Sequence, residues 1–165
     1  METPGATPLV PPGQDDEQNT LRDNGAGIVA ATVSPVSSER PALRLLLVDD
    51  SVDAATAMSM LFEVDGYDVR VAHEANHALE LAAQFEPEIV LLDLGLPGMD
   101  GLQLAEEMRK RASTANALLI AVTGYGQAAD RQRSREAGFD HHLVKPVSCE
   151  EIQRVITSRF PGGQR

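Results

Sequence analysis

The 165-residue sequence predicts a doubly wound α/β domain: a parallel sheet with helices packed on both faces. Apolar runs of strand length alternate five times with segments of helical periodicity, and the strongest of those runs are continuous rather than alternating. Glu88-Ile-Val-Leu-Leu-Asp93 and Leu118-Leu-Ile-Ala-Val-Thr123 leave no polar face, which is how strands covered on both sides read. Both also end in a polar residue before a turn. Polar side chains therefore gather at the carboxyl ends of the strands, the edge at which open parallel sheets bind ligands.

Residues 1–41 are rich in proline, glycine and small polar residues, with few large apolar ones. Too little surface can be buried there to offset the entropy of ordering, so a disordered leader is expected. Within it, Asp23-Asn-Gly-Ala-Gly-Ile28 is similar to the glycine box of histidine-kinase ATPase domains. Only about fifteen residues separate that fragment from the first strand, too few for the rest of such a site, so it reads as linker. The folded domain is expected over 42–161, with a short tail at 162–165 and no output domain after it.

Leu43-Arg-Leu-Leu-Leu-Val48 is the first strand and runs into Asp49-Asp50. Ser51 can cap the following helix, whose core face is assigned to Ala54, Ala55, Met58, Leu61 and Phe62 at helical spacing. Gly66 ends that helix, and Tyr67 to Ala72 reads as the second strand. Residues 75–85 form the next helix through Ala75, Ala78, Leu79 and Ala82, and Pro87 precedes the Asp93 strand. A helix over 101–111, the strand ending at Thr123, an arginine-rich helix over about 127–137 stopped by Gly138, and a short strand from His142 to Lys145 follow. Ile152, Val155, Ile156 and Phe160 give the last helix its apolar stripe.

Composition excludes several functions. No run of eighteen apolar residues exists to span a membrane, and the amino terminus lacks a secretion signal. The single Cys149 forbids an intrachain disulfide and suits a reducing cytoplasm. A net charge of -11 disfavours direct nucleic-acid binding and points to protein or cation partners.

One string, His73-Glu74-Ala75-Asn76-His77, matches the zinc-peptidase pattern H-E-x-x-H. That pattern works only with both histidines one turn apart on a continuous helix. His73 directly follows a strand, so the string is read as a turn histidine and a solvated helix histidine. A small phosphatase with a strand-end aspartate is a second remote alternative. It needs Asp-x-Asp after its first strand, which Asp49-Asp50-Ser51 does not provide.

In a doubly wound sheet the ends of strands one, three, four and five bring together Asp49, Asp50, Asp93, Thr123 and Lys145. Three carboxylates about 5 Å apart repel by roughly 3 kcal/mol per pair at an effective dielectric of 20, so the cluster needs cations. Lys145 is one, and a hard divalent ion with oxygen ligands, Mg2+, is the expected other. Such a group can transfer phosphoryl to Asp93, with the Thr123 hydroxyl and the Lys145 ammonium each holding a phosphoryl oxygen.

At these residues the sequence resembles the receiver domains of two-component response regulators, the chemotaxis-regulator-like fold. The resemblance rests on Asp49-Asp50, on Asp-x-x-x-Pro-x-x-Asp-Gly from Asp93 to Gly101, on Thr123 and on Lys145-Pro146, and covers residues 43 to about 161. It implies a flavodoxin-like five-stranded sheet of order 2-1-3-4-5 with five helices. It further implies that Asp93 is the phosphoacceptor and that Asp50 directly, Asp49 through water, and the Gly95 carbonyl bind Mg2+ together with Asp93. Thr123 would be the switch hydroxyl, Lys145 the phosphoryl-binding base, and the Lys145-Pro146 bond cis. His142 stands where the family usually has an aromatic switch residue.

The implied donor is a sensor histidine kinase or a histidine phosphotransfer protein, and the chain is a self-modifying substrate rather than an enzyme. The Asp93 turn and the Gly138 to Pro146 segment look most like receivers of hybrid sensor kinases, so a phosphorelay or phosphate-sink role is the alternative to driving a downstream protein. Gly95 and Gly124 leave the site open, which implies quick dephosphorylation. Arg131, Arg133, Arg135, Arg154 and Arg159 concentrate positive charge on the helix 4, strand 5, helix 5 face, a docking surface for an acidic partner.

Overall fold

The computed structural model describes residues 40–124 and 126–162. Most of the expected 1–41 leader, the Asp23 to Ile28 fragment and residues 163–165 lie outside the described residues. Five parallel strands, β1 (Arg44–Val48), β2 (Asp68–Ala72), β3 (Ile89–Asp93), β4 (Leu118–Thr123) and β5 (His141–Val144), are ordered β2-β1-β3-β4-β5. Between and after them run α1 (Val52–Val64), α2 (Ala75–Phe85), α3 (Gly101–Lys110), α4 (Ala128–Glu136) and α5 (Cys149–Arg159). The strand order reverses between β1 and β3, so the crevice at their carboxyl ends is the topological switch point.

Alternation along the central strands divides the core in two. Leu46, Val48, Val90, Leu92, Leu119 and Ala121 pack with α2 and α3, whereas Leu45, Leu47, Ile89, Leu91, Ile120 and Val122 pack with α1 and α5. Both faces are covered, which is why β3 and β4 are buried at every position. The register pairs Val48 with Leu92, Asp93 with Val122, and Thr123 with Val144. Strand ends far apart in sequence are thereby brought level.

Helix boundaries follow local chemistry. Ser51 and Asp100 accept hydrogen bonds from Ala54 N–H and Leu102 N–H as caps of α1 and α3. Gly66 (φ +91°) and Gly138 (φ +102°) end α1 and α4 in the left-handed region that a side chain would strain.

On α1 the expected core face is corrected. Its buried residues are Ala55, Ser59 and Phe62, with Met58 half-buried, while Ala54 is exposed and Leu61 is 53% exposed. Ser59 can face the core because its hydroxyl donates to the Thr56 carbonyl at 2.9 Å, leaving no orphaned polar atom. Phe62 then meets Tyr67 edge-on, ring centroids 5.4 Å apart. Taking polar identity as exclusion from the core displaces the predicted stripe toward Leu61.

Arg109, at the end of α3, clamps the far end of the sheet. Its Nε donates to the Gly138 carbonyl at 2.8 Å, one Nη to the Ala115 and Ala117 carbonyls at 2.9 and 2.7 Å, and the other to Asp140 Oδ2 at 2.8 Å. Asp140 Oδ2 also accepts from Leu119 N–H at 2.8 Å. Arg109→Met strands several carbonyls at once and is expected to cost about 3 kcal/mol in urea unfolding. Arg109→Lys recovers little of it, because an ammonium cannot span that fork.

Candidate functional site

At the carboxyl edge Asp49 follows β1, Asp93 ends β3, Thr123 ends β4 and Lys145 follows β5. Oxygens of Asp49, Asp50 and Asp93 all lie within 4.8 Å of one another. Asp93 and Thr123 are buried, Asp49 is half-buried and Asp50 is exposed. The Lys145 ammonium donates to Asp93 Oδ2 at 2.7 Å, and Gly95 N–H donates to Asp93 Oδ1 at 2.8 Å. Lys145 N–H also donates to the Thr123 carbonyl at 2.8 Å, so the hydroxyl-bearing and ammonium-bearing residues share one ladder rung. The Lys145–Pro146 peptide is cis.

Burial of the Lys145 side chain works against its charge. The hydrogen bond to Asp93 and the attraction of Asp93, Asp49 and Asp50 outweigh that, and its pKa is raised above the ordinary lysine value. One ammonium does not balance three carboxylates. Oxygen-only donors converging on one point form the set that a hard divalent cation takes, and Mg2+ fits it.

Two cavities flank the carboxylates. One of about 510 Å³ lies beside α1 and the 145–147 segment, walled by Leu47, Met58, Leu91, Val122 and Val147 with Asp93 and Lys145 at its edge. The other, about 170 Å³, is lined by Gly95, Asp100, Thr123, Gly124 and Arg133. A side chain at position 124 would meet open space, so the approach to Thr123 is unobstructed there.

His142 is half-buried on β5, level with Ala121 of β4, and therefore faces the α2–α3 side of the sheet, as Thr123 does. Its Nδ1 lies 2.9 Å from Oγ of the buried Ser134 on α4. The Ser134 hydroxyl donates to the Asp130 carbonyl at 2.9 Å, so Oγ accepts from His142 Nδ1–H. Sequence periodicity does not reveal this link, because Ser134 reads as a surface residue of a polar helix. Arg131, Arg133, Arg135, Arg154 and Arg159 are all exposed. In the zinc-like string, His73 precedes α2 and its ring bonds to the Asp49 backbone, while His77 is exposed on α2.

Mutual repulsion of carboxylates at this spacing lies between roughly 1 kcal/mol in water and 3.5 kcal/mol at an effective dielectric of 20. Asp50 is exposed, so the lower figure applies to it. In chelator, Asp50→Asn is expected to melt about 4 °C above wild type. Added Mg2+ should stabilise wild type and leave the variant unmoved. A variant melting below wild type in chelator would contradict a repulsive cluster.

Residues 45–157 match the family model described as response regulator receiver domain. The chain is 33% identical over 109 residues to the DNA-binding dual master transcriptional regulator RpaA of Synechocystis sp., a match that covers 66% of this chain and 45% of that protein. The chain thus spans under half the length of that relative. Among solved structures it is similar to a CheY-like response regulator receiver domain protein of Methanospirillum hungatei JF-1, at 28% identity and TM-score 0.68 over 74% of this chain and 97% of that one. It is also similar to the receiver domain of a Pseudomonas aeruginosa PAO1 sensor histidine kinase with magnesium coordinated in its active-site cleft. There the identity is 26% and the TM-score 0.65, over 72% of this chain and 97% of that one.

Proposed function

The chain belongs to the response regulator receiver family, a class of signalling domain, and from that premise we propose that Asp93 accepts a phosphoryl group and reports it by protein contact. The observation that carries this reading is the 2.7 Å contact of the Lys145 ammonium with Asp93, the buried carboxylate that ends β3 within the acidic cluster. Asp49, Asp50, Asp93 and the Gly95 carbonyl would hold Mg2+, which when bound offsets the charge gathered on the phosphoryl oxygens. Lys145 and Thr123 bind the oxygens that remain, so the chain contributes positioning and charge rather than turnover. Residues 42–161 form the receiver unit in this account.

The donor is a phosphohistidine on a sensor kinase or phosphotransfer protein. Two features of the surface favour a protein donor. Val52, the first residue of α1 and three after Asp49, is 57% exposed, and the apolar cavity between α1 and Val147 leads to Asp93. Helical apolar surface beside a reactive carboxylate suits a partner that must dock before transferring. The downstream contact is assigned to the arginine-bearing α4–β5–α5 face and an acidic protein, since a net charge of -11 argues against nucleic acid as the direct partner.

The test is intact-mass analysis after incubation with acetyl phosphate. One phosphoryl group is expected with Mg2+ present and none with a chelator. Failure to gain it with Mg2+ at saturating donor would overturn the reading.

A further inference from the structure

His73 directly follows β2, and its Nδ1 lies 2.8 Å from the backbone carbonyl oxygen of Asp49. A carbonyl only accepts, so Nδ1 carries the hydrogen and the ring is the donor. The residue before it, Ala72, accepts from Asp49 N–H at 3.1 Å. Consecutive residues at the end of β2 thus hold Asp49 by both of its backbone polar groups. Its side chain is fixed as well, because Ser51 N–H donates to Asp49 Oδ1 at 2.9 Å.

The Asp49 carbonyl and the Asp50 N–H belong to one planar peptide unit. Fixing that oxygen fixes the plane from which the Asp50 side chain departs, and Asp50 is otherwise an exposed residue at the start of a loop. We propose that His73 is a positioning residue for the cation site: its Nδ1–H sets the Asp49–Asp50 peptide plane and so places both carboxylates for a divalent ion. The inference rests on the Mg2+ reading of the site. It also gives the first histidine of the zinc-like string a task one residue removed from the metal, in place of ligation.

Groups that orient metal ligands without touching the ion are worth about 10- to 100-fold in affinity, and a single bond to a backbone carbonyl belongs at the lower end. Mg2+ titration by calorimetry of the full chain is expected to show affinity falling about tenfold in His73→Ala. In His73→Asn, whose short amide can donate from nearly the same place, it should return to within about threefold of wild type. Urea unfolding in chelator, run in parallel, should show little difference between the two variants.

The outcomes separate cleanly. If wild type binds no Mg2+, the reading of the site itself fails and takes this inference with it. If wild type binds and His73→Ala binds equally well, the site stands and the positioning role is overturned. Equal weakening in the alanine and asparagine variants overturns it too, because the loss would then follow from packing rather than from the donated hydrogen.

Discussion

Asp93→Asn is expected to take up no phosphoryl group from acetyl phosphate under conditions that label wild type to near one per chain. The substitution keeps the shape of the side chain and removes the nucleophilic oxygen pair. It also removes the anion that the Lys145 ammonium contacts at 2.7 Å, so no second carboxylate inherits that arrangement. Asp49 and Asp50 are close enough to share a cation with Asp93, yet neither forms an ion pair with a lysine or arginine among the described residues. Intact mass checks the outcome directly. Undiminished labelling of the variant would move the chemistry to another side chain.

Lys145→Ala is the second large effect. A fixed ammonium aimed at developing phosphoryl charge resembles an oxyanion-hole donor, whose removal costs about 10²–10³-fold in rate. Phosphoryl uptake should slow by that order while Mg2+ binding survives, because the oxygen donors remain. The pH dependence has a definite sign. The Lys145 pKa is raised in the folded chain, so the ion pair contributes fully below the unfolded lysine value of about 10.4 and is lost as pH climbs through the folded value. Wild type should therefore show no alkaline loss of uptake traceable to Lys145 between neutrality and about pH 10. A decline centred near pH 8 in wild type that vanishes in Lys145→Ala would contradict this.

Much of the architecture was legible because the central strands leave few options. Apolar runs such as Ile89 to Leu92 and Leu118 to Val122 admit one environment, a sheet covered twice, and the acids and hydroxyl at their ends then have to converge. The α2 face through Ala75, Ala78, Leu79 and Ala82 was equally legible, and that of α1 was less so. Residue type alone turned α1 toward Leu61, when Ser59 satisfies its own hydroxyl within the helix and takes the inward place. Bonds that side chains make to other elements left no trace in any local pattern. The His73 contact with Asp49, the Ser134 contact with His142 and the Arg109 clamp all depend on where the sheet brings elements together. His73 was visible only as half of a motif whose helical geometry the preceding strand rules out.

His142 and Ser134 also join β5 to the arginine-bearing helix. His142 and Thr123 face the same side of the sheet from adjacent strands, and the imidazole is tied to α4 through Ser134.

The carboxylate held by Lys145 is expected to be the one that becomes the acyl phosphate. Borohydride reduction of the phosphorylated chain converts that aspartate to homoserine, which peptide sequencing by mass spectrometry locates. Homoserine at position 93 alone is the predicted result. Homoserine at 49 or 50, or a phosphoryl group that survives reduction on a hydroxyl side chain, would contradict it.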